Sequence, residues 1–286
     1  MNLSDIRTLR EVMNKYGISA QKKYGQNFLA DEGILETIVE GAGISSDDTV
    51  LEIGPGLGTL TAKLAATARK VVAVEIDEAL IPVLKATLAG FDNVEVISAD
   101  ILKCDIRELY EKYGTGRGIK VAANLPYYIT TPIVLKLLEY SDIIESITVM
   151  VQKEMAQRMQ SAPGSKDYGA LSLAIQYYSN PRVIAEVPSD RFYPSPAVDS
   201  AVIVLESREH PPVEVHDVDY MFSLIRATFN MRRKTLPNAL SSGMPGLSRD
   251  RIEKALDAME LPHTVRGETF SLEDFARLSD LLHEKA

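Results

Sequence analysis

The 286-residue chain has one cysteine, Cys104. A single thiol excludes an internal disulfide and a cysteine-based metal site, and it fits the reducing cytoplasm. No apolar run approaches the roughly 20 residues that a membrane-spanning helix needs, so no membrane partner is expected. The first residues carry Asp5, Arg7, Arg10 and Glu11, a pattern unlike a signal peptide. Internal repeats and low-complexity tracts are also missing, which argues against a repeat architecture. Positive charge is in deficit: 31 Lys and Arg stand against 40 Asp and Glu, a net charge of -9. That balance argues weakly against a nucleic-acid partner, but a net value says nothing of local patches. The remainder is ordinary, with 45% hydrophobic and 25% charged residues, the composition of a globular protein. The length suffices for a large domain and a small one.

The chain is organised around residues 50–61. Residues 49–53 form a short apolar run bounded by polar residues, the pattern of a buried strand. Beyond Thr59, the residues Leu60, Leu64 and Ala65 recur at helical spacing, with Thr59 or Thr61 as N-cap. Between them stand Gly54, Gly56 and Gly58, at every second position. Glycine reaches positive φ and leaves no Cβ between backbone and ligand. A strand, a glycine turn and a helix N-terminus make a nucleotide crevice at the carboxyl edge of a parallel sheet. Dinucleotide folds use G-x-G-x-x-G to seat a pyrophosphate. Here the pattern is E-x-G-x-G-x-G, and Glu52 would repel a pyrophosphate. It suits a ligand with a positive centre, such as the ammonium and sulfonium of S-adenosylmethionine. Taken alone, the glycines read equally well as a structural turn.

Upstream, Ser4 is placed to cap a helix with Ile6, Leu9 and Met13 on one face and Gly17 at its end. Residues 21–29 hold Lys22, Lys23, two aromatics and three amides, and from composition alone read as a solvated linker. Asp31 caps a helix whose Ile34, Leu35, Ile38 and Val39 face a core. Downstream, residues 70–77 and 93–100 read as the second and third strands. Glu75 lies about 20 residues past the glycines, where an acid accepts hydrogen bonds from ribose hydroxyls. Asp100 ends the third strand, where a carboxylate can accept the exocyclic amine of adenine. Either acid alone could be a helix cap; with the glycine turn, at three successive strand ends, they are more specific. The fourth strand, 119–123, runs into Asn124-Leu125-Pro126-Tyr127-Tyr128. Proline stiffens that turn and leaves its own carbonyl free. The Asn124 amide and the Pro126 carbonyl can then accept hydrogens from one planar amine, and Tyr127 offers a face on which a base can stack.

Residues 144–151 read as a fifth strand, 161–168 as a flexible loop and 170–178 as a helix. Residues 182–187 and 201–205 read as a final hairpin. They are joined by the segment 192–196, whose two prolines fix an extended loop and hold Phe192, which reads either as a base contact or as core. Residues 206–218, with Pro211-Pro212, read as a linker. Helices are expected at 218–229, 235–240, 248–259 and 271–282, with Ser248 opening the third. From residue 206 onward there are 11 Lys and Arg against 14 Asp and Glu. The local exception is Arg226, Arg232, Arg233 and Lys234, which is either a solvated cluster or a phosphate-binding site.

Five stretches resemble one family: Gly25-Gln26-Asn27-Phe28-Leu29, residues 52–58, residues 124–129, residues 192–200 and Arg232-Arg233-Lys234-Thr235-Leu236. The family is the small-subunit ribosomal RNA adenine N6-dimethyltransferases of the KsgA/RsmA type with their eukaryotic counterparts, and the order of the motifs is the same. The resemblance implies an α/β fold: a Rossmann-like, seven-stranded, mostly parallel S-adenosylmethionine-dependent methyltransferase sheet over residues 1–205. A small all-helical RNA-substrate domain would cover 206–286. It implies that Asn27, Leu29, Gly54, Gly56, Glu75, Asp100 and Asn124 line the S-adenosyl-L-methionine site, with residues 21–29 as its lid. It implies that Asn124, Leu125, Pro126, Tyr127 and Phe192 surround the target base. Lys22, Lys23, Arg226, Arg232, Arg233 and Lys234 are the expected RNA contacts. The expected activity is dimethylation of two adjacent adenosines near the 3′ end of small-subunit rRNA. A cytoplasmic monomer would act without a metal on that RNA or on a pre-assembled small ribosomal subunit. Two alternatives stand beside this reading. One is a large-subunit methyltransferase of the erythromycin-resistance type, against which Tyr127-Tyr128 and residues 232–236 weigh. The other is a non-catalytic RNA-binding assembly factor, against which the intact Glu75, Asp100 and 124–127 set weighs.

Overall fold

The structure is a computed structural model and describes residues 3–283. In chain order its first elements are α1 (Ile6–Tyr16), β1 (Phe28–Leu29), α2 (Glu32–Gly41), β2 (Thr49–Ile53), α3 (Thr59–Thr67), β3 (Lys70–Glu75), α4 (Ile81–Thr87) and β4 (Val94–Ser98). There follow α5 (Ile106–Tyr113), β5 (Ile119–Asn124), α6 (Thr130–Leu138), β6 (Ile144–Gln152), α7 (Lys153–Met159), α8 (Ala170–Tyr178), β7 (Ser179–Val187), β8 (Phe192–Tyr193) and β9 (Ser200–Ser207). The chain ends with α9 (Val218–Asn230), α10 (Leu236–Gly243), α11 (Arg249–Ala258) and α12 (Leu272–His283).

The described residues divide into two compact units. One runs to Ala156 and takes up Ser179–Ser207; the other holds Gln157–Tyr178 and the chain from Arg208 onward. This differs from the expected division at 205/206 in that the boundary falls at 207/208 and residues 157–178 belong with the helices. The cause is apolar packing, since Tyr168, Leu173 and Tyr177 join the core of the second unit with Leu224, Leu256 and Phe275. The Tyr168 hydroxyl also donates to the Phe270 carbonyl at 2.8 Å, so its burial leaves no polar group unpaired.

The first unit is built on a seven-stranded sheet of order β4-β3-β2-β5-β6-β9-β7. The strands from β4 to β6 run parallel, and β9 runs antiparallel to both β6 and β7. Every residue of β2 is buried, as are Val121, Ala122 and Ala123 of β5, the continuous apolar pattern of central parallel strands. Leu35 and Ile38 of α2 and Leu60 and Leu64 of α3 close over Val50, Val71 and Ala122. Each such side chain contributes about 1.5–3 kcal/mol on full burial. The chain steps outward from β2 through β3 to β4, then returns to β5 on the other side. The carboxyl ends of β2 and β5 therefore flank a topological switch point, where ligands bind in open α/β sheets.

Two expected caps differ in detail. Asp5, not Ser4, caps α1, its carboxylate accepting from the Thr8 N–H at 3.1 Å; both residue types suit that position. At α3 the N-cap is Gly58, with no side-chain cap, so neither Thr59 nor Thr61 fills that role.

Candidate active site

Gly54, Gly56 and Gly58 all adopt positive φ, at 67°, 61° and 88°. A Cβ on Gly56 would also stand 3.1 Å from the Phe28 ring, so this turn is closed to larger residues. The Gly56 N–H donates to Glu75 Oε2 at 3.1 Å, and the Asp77 N–H donates to Glu75 Oε1 at 2.8 Å. Each Glu75 oxygen keeps a second lone pair. Glu75 is buried, and that burial holds its pKa above the usual carboxylate range. Asp100, just past β4, accepts from the Leu102 N–H at 3.0 Å and is half-buried. These groups, Glu52, Asn124 and residues 24–29 line one cleft.

Residues 21–29 are tied to that cleft rather than free in solvent. Gln26 accepts from the Gln21 N–H and donates from Nε2 to Asp77 Oδ2, both at 2.8 Å. The Asn27 carbonyl accepts from Asn124 Nδ2 at 3.0 Å. That bond orients the Asn124 amide and leaves its Oδ1 as an acceptor. Leu29 is buried and pairs with Phe192 across β1 and β8. The Gln26–Asp77 link escaped the sequence reading; its one signal was an acid two residues after Glu75.

Two expectations at the reacting end need correction. The Pro126 carbonyl is not free: it accepts from the Ile129 N–H and the Thr130 hydroxyl, each at 3.2 Å. The short helical turn Tyr127–Ile129 folds back on it. Phe192 does not face the cleft either. It is 3% exposed and packs with Leu29, Leu35, Ile38, Val187 and Val202. The aromatics that do line the cleft are Tyr24, Phe28, Tyr127 and Tyr128. Tyr127 is anchored by a 2.7 Å hydrogen bond between its hydroxyl and Ser200 Oγ, and burial raises its pKa. Tyr128 is 59% exposed and packs over Gly25.

The charges of the cleft are one-sided. Glu52, Glu75 and Asp100 line it, with no Lys, Arg or His among its lining residues. Glu52, expected as an acid suited to a positively charged ligand, is 1% exposed, and burial with the nearby Glu75 pushes its pKa up to about 8.

The proposed RNA cations fall into two groups. Arg226, Arg233 and Lys234 are exposed; Arg226 donates to Ser223 Oγ at 2.9 Å. Lys23 is exposed and lies over the Tyr24 ring, while the side chain of Lys22 lies outside the described residues. Arg232 is different. Its Nε donates to Glu268 Oε2 at 2.9 Å, its Nη2 to the Ser165 carbonyl at 3.0 Å and its Nη1 to the Lys166 carbonyl. The arginine expected to hold phosphate instead holds its own chain.

The chain matches the ribosomal RNA adenine dimethylase family over residues 17–278. It belongs to that family. The "Ribosomal RNA small subunit methyltransferase A" of Lachnoclostridium phytofermentans is 52% identical over 99% of this chain and 98% of its own length. The protein of the same name from Clostridioides difficile is 47% identical over 99% and 98%. Among solved structures, a dimethyladenosine transferase from Plasmodium falciparum superposes with a TM-score of 0.74 at 27% identity, covering 88% of this chain and 95% of that one. The 23S rRNA methyltransferase ErmE superposes at 0.65 with 30% identity, over 90% and 99%. The seven-stranded sheet is thus that of a methyltransferase. Among the described residues, no group of three or more His, Cys, Asp or Glu side chains could hold a metal ion, and no helix is long and apolar enough to cross a membrane.

Proposed function

We propose that the protein transfers methyl groups from S-adenosylmethionine to N6 of adenine in small-subunit ribosomal RNA, dimethylating two adjacent adenosines near its 3′ end. The supporting observation is Asn124, whose amide is fixed by the Asn27 carbonyl at the end of β5, on the wall of an acidic cleft. The relatives named small-subunit methyltransferase supply the RNA class.

The residues present fit the methyl donor. Gly56 offers backbone without a Cβ, Glu75 offers paired carboxylate oxygens for ribose hydroxyls, and Asp100 lies where an adenine amine needs an acceptor. The absence of any cation from the cleft lining matches a ligand that carries a sulfonium. When bound, S-adenosylmethionine supplies an electrophilic methyl group.

The chain's own task is positioning. Taking the adenine out of its stack costs a few kcal/mol. Stacking on Tyr127, with Tyr128 beside it, returns about 1–3 kcal/mol. Asn124 Oδ1 accepts one amine hydrogen. With both lone pairs of the Pro126 carbonyl already used, the Leu125 carbonyl on the same wall is the second acceptor. Holding both hydrogens aims the nitrogen lone pair at the methyl carbon, and the displaced amine proton leaves to water. The RNA would be held by Arg226, Arg233, Lys234 and Lys23, the exposed members of the expected set, and by a cytoplasmic monomer.

The structural match to ErmE keeps 23S rRNA as the rival substrate. Purified protein with labelled S-adenosylmethionine is to be offered small ribosomal subunits, free 16S rRNA and free 23S rRNA. Label in N6,N6-dimethyladenosine of the small-subunit RNA supports the proposal, and label confined to 23S rRNA overturns it.

A further inference from the structure

Glu52 stands near the carboxyl end of β2, on the cleft wall, with 1% of its surface exposed. Its Oε2 has no hydrogen-bond partner. The methyl-transfer geometry described above gives it no task. An acid so deeply buried is costly in its charged form, because the Thr61 hydroxyl beside it replaces water only in part.

The groups that face it can be named. From β3 comes Glu75, a like charge with Asp77 behind it; from α3 comes the Thr61 hydroxyl. On β5 the register partner is Ala122. The other titratable residues around the cleft are Asp100, Tyr24, Tyr127 and Tyr128, with no Lys, Arg or His. Among the described residues, the protein thus offers this carboxyl no compensating cation. A positively charged ligand in the same cleft would be its first.

We propose that Glu52 reads the charge of the ligand: it releases its proton to solvent when a cationic methyl donor enters the cleft, and keeps it when an uncharged nucleoside does. The inference rests on the S-adenosylmethionine reading above. Glu52 would then set specificity for the charged donor over an uncharged thioether nucleoside. The step is a proton dissociation alone, carboxylic acid to carboxylate, with the proton passing to bulk water.

The test is calorimetric titration of the full chain with S-adenosylmethionine and with 5′-methylthioadenosine, at pH 7, in buffers of differing ionisation heat. With the carboxyl near pKa 8, about 0.9 proton should leave per donor bound at pH 7, and none per methylthioadenosine. Donor affinity should rise about ninefold from pH 6 to pH 7, with methylthioadenosine affinity flat. In Glu52→Gln, donor still binds but both dependences vanish. Donor binding with the same heat in every buffer, or a buffer dependence that persists in Glu52→Gln, overturns the proposal. The wild-type contrast between the two ligands stands even if that variant fails to fold. No donor binding in any buffer would overturn the methyl-donor reading itself, a result distinguishable from the others.

Discussion

Replacing Arg232 with Ala should loosen the helical unit and leave the electrostatics of RNA binding intact. The side chain spends its donors on Glu268, Ser165 and Lys166. Hydrogen bonds to a charged group contribute about 1.5–3 kcal/mol each when well buried. Exposed ion pairs contribute about 0–1 kcal/mol. Here the Arg232 and Glu268 side chains are 36% and 27% exposed, between those limits. Three partly screened bonds then sum to about 2 kcal/mol. For a unit of roughly 100 residues, that lowers Tm by about 10 °C if the unit melts by itself. The Gly164 N–H, which donates to the Glu268 carbonyl at 2.7 Å, should exchange faster with deuterium. RNA affinity across a salt series supplies the second reading. Each phosphate contact adds about 0.7–0.9 to the slope of log affinity against log salt. Arg232→Ala should keep the wild-type slope, while Arg233→Ala flattens it by about that amount. An Arg232→Ala protein of unchanged Tm with a flattened slope would refute the reasoning and return Arg232 to the phosphate contacts.

Three further outcomes are expected. Glu75→Ala should weaken S-adenosylmethionine binding by roughly 1.5–3 kcal/mol, and unchanged affinity by calorimetry in a folded variant would count against the site. Asn124→Ala should slow turnover at saturating donor and RNA by more than tenfold while RNA affinity stays within about twofold, because the change removes orientation of the amine. A normal rate at saturation would end its catalytic assignment. Phe192→Ala should cost about 3–5 kcal/mol of stability as a cavity substitution. A variant of normal stability that has lost turnover would instead mean that Phe192 reaches the base.

The glycine turn, Glu75, Asp100 and Asn124 were legible in sequence because each follows a local rule: an apolar run ends, and the polar residue after it sits at the sheet's carboxyl edge. The seven strands and the helices from Val218 onward carried their own periodicity in the same way. What stayed hidden depends on distant partners. Nothing within residues 157–178 says that Tyr168 meets Phe270, more than 100 positions away. Phe192 lies on a two-residue strand, too short for alternation to tell core from cleft. A basic run cannot tell Arg232, which is paired, from Arg233, which is exposed. The raised pKa of Glu52 was hidden too, since it depends on burial in the folded sheet and on Glu75 of the next strand. The Pro126 carbonyl was lost to a helical turn that begins one residue later.

The proposed reaction is adenine N6 dimethylation of small-subunit RNA at the Asn124 turn. It is tested most directly by mass spectrometry of nucleosides from ribosomal RNA of a strain lacking this gene, complemented with the wild-type chain or with Asn124→Ala. N6,N6-dimethyladenosine should be missing from the small-subunit RNA of the deletion strain, return with the wild-type chain and stay missing with the variant. Unchanged N6,N6-dimethyladenosine in the deletion strain, or full restoration by Asn124→Ala, would contradict it.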